Sequence, residues 1–146
     1  MKKETIEARV QHFLSIRCAE KDSINAMIDM HLIAYDIEKQ TVTLAFPVQK
    51  WELNPAGNMH GGMICAALDV TMGCASYIYS EASFTPTIQM SVNFVKGIKE
   101  HETLLIEGIC DHAGSRMAQA RSIATLRGSG EVVATGNGSY AINTKK

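Results

Sequence analysis

The stretch GMICAALDVTMGCASYIYS, Gly62 to Ser80, constrains the fold of this chain more than any other. It is almost wholly apolar or small. Few β-branched residues occur in its first half and Gly73 is its one turn residue, so its length reads as helix rather than strand. A helix apolar on nearly every side must be enclosed, which puts it in the middle of the molecule. One charge, Asp69, interrupts the run. Burying an ionised carboxylate without partners is costly, so Asp69 either shifts its pKa upward or meets donors. The plain alternative is an aspartate that pairs with a surface base along an exposed helix edge. Leu68, Val70 and Met72 leave little polar surface for that, and a half-buried carboxylate in a cleft is a natural general base or nucleophile.

The flanks supply what encloses such a helix. Ile6, Val10, Phe13 and Leu14 recur at helical spacing over residues 4–17. Asp22-Ser23 then reads as a break and a fresh N-cap before a segment that reaches about Ile28. LIAYDIEKQTVTLAFPV alternates as a hairpin, with Ile33, Tyr35 and Ile37 on one strand and Val42, Leu44 and Phe46 on the other. Beyond the apolar run the chain reads as strands alone. TIQMSVNFV alternates Ile88, Met90, Val92 and Phe94 with polar residues. ETLLIEGICD, RMAQARSIATL and EVVATGNGSYAIN follow, joined by turns at HAGS and Gly-Ser-Gly, as consecutive antiparallel pairs. The order predicts an α+β fold: a six-stranded antiparallel sheet against one central helix, with an extra N-terminal helix. Residues 1–28 form the helical segment and 29–146 the core of a single domain. A sheet wrapped on one helix leaves an edge open, which invites a second copy.

Composition narrows the function classes. The chain has 146 residues, 46% of them apolar and 20% charged, as expected for one globular domain. Fourteen basic and fifteen acidic side chains give a net charge of -1, and no basic stripe with interleaved aromatics argues for nucleic acid. Asp69 and the glycines leave the apolar run too short and too polar for a membrane span. MKKETIEARVQHF lacks the apolar core of a signal peptide, so a cytoplasmic protein is expected. Cys18, Cys65, Cys74 and Cys110 form no C-x-x-C pair and read as free, buried thiols. The five histidines are scattered, which argues against a metal site.

The residues just before the apolar run carry the second chemical signal. Gly61 and Gly62 follow His60 at the expected helix start, where the first amide N–H groups have no intrahelical partner and the dipole is positive. Glycine lets a carbonyl approach that backbone closely, which makes an oxyanion site of the kind acyl chemistry uses. Eight helical steps separate Gly61 from Asp69, about 12 Å along the axis. One chain therefore does not aim both groups at one carbonyl. Two copies with antiparallel central helices bring Asp69 of one beside Gly61 of the other.

NPAGNMHGGMICAALD, with its asparagine, His-Gly-Gly and downstream aspartate, resembles the signature of the hotdog-fold acyl-CoA thioesterases of the phenylacetate-degradation type. The resemblance runs over about residues 30–143, including TPTIQMSVNFVKG. It implies that Asp69 is the catalytic carboxylate and that the Gly61 N–H polarises the thioester carbonyl. It further implies that Asn54 positions the attacking water, that His60 supports the thioester end and that Thr87 places a hydroxyl near that water. Asp69 and Thr87 would come from one subunit, and Asn54, His60 and Gly61 from its neighbour. Read from the residues alone, His60 equally serves as a cap that hydrogen-bonds the helix start. Gly62 belongs to the same substrate-binding turn. Ser115 and Arg116, in a turn where relatives meet the phosphates of coenzyme A, and Lys96 are the further substrate-binding residues implied.

The expectation is an acyl-CoA thioesterase, active as a homodimer and paired further into a homotetramer, with no cofactor beyond the coenzyme A of its substrate and no nucleic-acid or membrane partner. Asp69 either activates water or attacks the carbonyl itself, and the residues do not separate these routes. Two rivals stand beside it. A hotdog hydratase or dehydratase would need a histidine and a carboxylate converging on carbons two and three of the acyl group. A non-catalytic acyl-CoA-binding module would need the pocket and could lose the carboxylate. Neither the RGSGE turn nor the N-terminal segment carries information on the acyl group.

Overall fold

The computed structural model describes residues 3–144. Helix α1 spans Lys3–Arg17 and buries Ile6, Val10 and Phe13, with Leu14 packed partly against the core, as the helical spacing predicts. Ser23 caps the short α2, Ile24–Met27, by accepting the Ala26 N–H. Strands β1 (His31–Asp36) and β2 (Thr41–Pro47) form the hairpin. A short 3-10 turn, Lys50–Glu52, leads to the central helix α3, Gly61–Ile78. Four strands follow: β3 (Thr87–Phe94), β4 (Thr103–Ala113), β5 (Met117–Leu126) and β6 (Val132–Ala141).

The six strands make one antiparallel sheet in the order β1-β2-β4-β5-β6-β3. The sheet curls around α3, which touches β2 through β6 and buries every residue from Val70 to Ile78. The fit is tight. A Cβ at Gly108 on β4 would stand 2.8 Å from the Thr71 carbonyl oxygen, so only glycine lets that strand approach the helix. By length and composition α3 has the properties of a membrane span, contrary to the sequence expectation. Yet 67% of that window is buried inside the fold, as in the core helix of a sheet-wrapped protein.

Three details differ from the sequence reading. Ile33 is 46% exposed, because a β-bulge between Leu32 and Ala34 shifts the β1 register and turns Leu32 toward the core in its place, while Tyr35 and Ile37 pack against the core as expected. Ile88 and Phe94 are exposed as well, since β3 is an edge strand paired on one side alone. Of the four free thiols, Cys74 and Cys110 are buried, whereas Cys18 and Cys65 are only partly covered.

Helix α1 packs on the end of α3 through His12 and Phe13 against Tyr77, and Arg9 adds hydrogen bonds there. The Arg9 guanidinium donates to the carbonyls of Tyr77 and Ala82 and lies 4.1 Å over the Tyr77 ring. The last carbonyls of a helix lack intrahelical partners, so a cation there satisfies them and complements the dipole. The N-terminal helix is thereby held as a wall beside α3.

Candidate active site

Asp69 is half-buried at mid-helix, and two hydroxyls hold it. Thr87 Oγ1, at the start of β3, donates to Asp69 Oδ1 at 2.7 Å. The Tyr140 hydroxyl, on β6, donates to the same Oδ1 at 2.8 Å and lies 3.2 Å from the Asp69 backbone carbonyl oxygen. Among the described residues nothing donates to Oδ2. One carboxylate oxygen is therefore fixed and the other is free to take a proton or to attack.

Tyr140 is the participant that sequence reasoning missed. Its ring is 1% exposed and fills a slot made by two glycines. A Cβ at Gly138 would come within 3.0 Å of the ring, and one at Gly73 within 3.5 Å. Burial first, then the Asp69 charge and hydrogen bond, push the phenol far above its ordinary range, so it stays protonated and remains a donor. The Cys65 thiol, one turn before Asp69, is also pushed up, by burial and by the Asp69 charge. A raised thiol is a poor nucleophile. Of the two groups, the carboxylate is the one suited to act as a base or nucleophile.

The start of α3 is organised separately. His60 is the N-cap, with φ -59° and ψ 135°, and its Nδ1 accepts the Gly62 N–H at 2.9 Å. The capping alternative for His60 is thus realised, and the ring proton belongs on Nε2. It also means that the Gly62 amide is already used. The Gly61 N–H has no acceptor among the described residues and is the free donor of the pair. Asn54 Oδ1 accepts the N–H groups of Ala56 and Asn58 and so ties its own loop, leaving the side-chain amide to donate. Asn54, Gly61, Phe94 and Lys96 line one cleft. Lys96 pairs with Glu131 at 2.7 Å, a contact that pushes its ammonium above the ordinary value.

A second cleft, of about 490 Å³, contains Asp69, Thr87 and Tyr140 and is walled by Phe13 and Arg17 of α1. Ser115 and Arg116 are exposed in the β4–β5 turn, where the Arg116 carbonyl accepts the Ile142 N–H. That turn lies at the Tyr140 end of the sheet, since Met117 pairs with Ala141. The structure thus brings Asp69, Thr87 and Tyr140 together, gathers Asn54, Gly61 and Lys96 in the other cleft with His60 capping the helix beside it, and keeps the two groups apart within one chain. Among the described residues no three His, Cys, Asp or Glu side chains cluster as a metal site needs.

This architecture is shared with solved structures. Zebra fish thioesterase superfamily member 2 superposes with a TM-score of 0.78 at 20% identity, covering 92% of this chain and 96% of that one. The Escherichia coli PaaI protein, from the phenylacetic acid degradation operon, gives 0.75 at 15% identity over 91% and 95%. A Streptococcus mutans UA159 protein, solved bound to acetyl CoA, gives 0.72 at 26% identity over 81% and 91%. The fold is the hotdog fold of these proteins. The thioesterase superfamily profile matches residues 56–136, and the chain belongs to that family. No curated protein matches it in sequence.

Proposed function

We propose that the protein hydrolyses acyl-CoA thioesters to a free acid and coenzyme A. The observation that carries this reading is the Asp69 carboxylate, pinned through Oδ1 by Thr87 and Tyr140 and free at Oδ2. In the first route water attacks the thioester carbonyl carbon while Oδ2 takes its proton. The negative charge that develops on the carbonyl oxygen is met by the Gly61 N–H at the positive end of α3. The C–S bond then breaks, coenzyme A leaves as thiolate, and the proton passes from Asp69 to the sulfur. In the second route Oδ2 attacks the carbonyl carbon, the thiolate leaves, and water opens the mixed anhydride. Neither route needs a cofactor beyond the coenzyme A of the substrate.

The shared site of a homodimer follows from distance. Gly61 and Asp69 stand about 12 Å apart along one helix, so a common carbonyl requires Gly61 of a second copy. The unpaired edge of β3 supports this pairing, because it starts at Thr87 and exposes Ile88 (54%), Phe94 (56%) and the adjoining Val95 (61%). Asn54 and His60 would then act at the carbonyl end contributed by the partner, with Lys96, Ser115 and Arg116 as ligands for the coenzyme A phosphates. Two such dimers pairing into a tetramer belong to the same proposal.

A screen of short, long and aromatic acyl-CoAs, following free thiol, tests the activity. Turnover that depends on Asp69 is the expected result. Hydration of enoyl-CoAs without thiol release would replace this reading with a hydratase.

A further inference from the structure

The N-terminal helix does more than cover the core. Phe13 and Arg17, on its last turns, line the cleft that holds Asp69, together with Ile24, Val70, Phe84 and Pro86. Away from the site the lining is mostly apolar; Asn25 and Thr85 are polar, the Thr85 hydroxyl already donates to the Gly73 carbonyl, and Arg17 is the one cation among the described lining residues. The Arg17 guanidinium carbon lies 5.1 Å from the Phe13 ring centroid and 4.8 Å from that of Phe84, so two aromatic faces hold it. It joins no ion pair, and it donates to no carbonyl at the end of its own helix, among the described residues. Arg9, in contrast, has both of its acceptors. The Arg17 charge reaches inward, where it partly offsets the burial that pushes the Cys74 thiol up to about 12.

The half-buried Arg17 guanidinium sits near two aromatic rings, and its N–H donors meet no acceptor among the described residues. That fork matches a carboxylate in two parallel hydrogen bonds, and an apolar surround strengthens the pairing. We propose that Arg17 is a specificity-determining residue that receives a carboxylate at the far end of the acyl group, so that the preferred substrates are CoA monothioesters of dicarboxylic acids. This rests on the thioesterase reading of the same cleft. The carbonyl end of such a substrate would sit at Asp69 and its methylenes along Val70, Ile24 and Pro86. Without a cation opposite, the second carboxylate would be repelled by Asp69 in a mostly apolar cleft.

The test compares succinyl-, glutaryl- and adipyl-CoA with butyryl-, valeryl- and hexanoyl-CoA, matched in length, on the wild-type protein, Arg17→Gln and Arg17→Lys. The quantity read is the ratio of kcat/KM between acid and neutral partner, which does not depend on the fraction of protein that is folded. The expected ratio at the best length is about tenfold or more, the size of one charge-assisted pair. It should collapse in Arg17→Gln and be partly kept in Arg17→Lys, which retains the charge without the fork. A ratio near one in the wild-type protein, or an equal ratio in wild type and Arg17→Gln, overturns the proposal while leaving the thioesterase reading intact. Equilibrium binding of the same six esters to Asp69→Asn, with and without the added Arg17→Gln change, separates the two ideas. A preference in binding that depends on Arg17, with no hydrolysis of either series by the wild-type protein, sinks the activity and keeps the recognition.

Discussion

The middle and the start of α3 are built on opposite plans. At mid-helix, Asp69 is oriented by two hydroxyls from β3 and β6 of the same chain, one of them on a ring that two glycines enclose. At the helix start, His60 uses the Gly62 amide, Asn54 binds its own loop, and the Gly61 amide is left unused. One half is preorganised by the fold of a single chain. The other is a donor waiting for an acceptor that its own chain does not bring. A fixed carboxylate and an unspent amide on one rigid rod, about 12 Å apart, are what two antiparallel copies would turn into two complete sites.

The sharpest way to break this contrast is Asp69→Asn. Loss of the base or nucleophile should lower kcat by roughly a hundredfold or more. The fold should persist, because an asparagine Oδ1 still accepts from Thr87 and Tyr140. Near-normal hydrolysis by a folded Asp69→Asn protein would remove Asp69 from the chemistry.

Next in size is complementation. Gly61→Pro deletes the proposed oxyanion donor with little cost to the helix, since proline is favoured at the first helical position. His60 already has the extended backbone that a residue before proline requires. Each variant alone should be nearly dead. After subunit exchange about half of the dimers are mixed and each holds one intact site, so roughly a quarter of wild-type activity should return. If verified exchange restores nothing, both groups act within one chain and the contrast above has no functional meaning.

The two hydroxyls sharpen it further. Tyr140→Phe keeps the ring in its slot and removes the buried donor, and about tenfold lower kcat/KM is expected from one lost hydrogen bond to a charge. Thr87→Ala should cost less, about threefold, because Thr87 is exposed and water can replace its hydroxyl. The reverse order would show that Thr87 touches the reacting water rather than merely orienting Asp69. Smallest is Lys96→Ala at the other cleft. Its pair with Glu131 is exposed and screened by solvent, so the melting temperature should barely move. KM for acyl-CoA should still rise a few-fold if Lys96 meets phosphate, on the order of one screened charge contact.

Much of this was legible from residue spacing. The apolar run placed α3 within a residue or two, Asp22-Ser23 marked the cap of α2, and alternation found three of the strands while the turns at HAGS and Gly-Ser-Gly divided the other three. The bulge at Ile33 was not legible, because register depends on which partner residues a strand meets. Nor was Tyr140, which lies 71 residues from Asp69 and reads locally as one more aromatic in a strand. Its one signal is the physical demand that a lone carboxylate meet donors, and that demand does not name the donor.

The amino-acid order by itself determined a central apolar helix, one carboxylate within it and an amide-rich start after His60, since helical patterns are written in neighbours three and four residues apart. Tertiary structure alone decided which hydroxyls reach Asp69, that α1 and Arg17 wall its cleft, and that β3 is an edge. Those facts arise when a sheet closes around a helix and joins residues far apart in sequence, and no local pattern encodes the partner across such a gap.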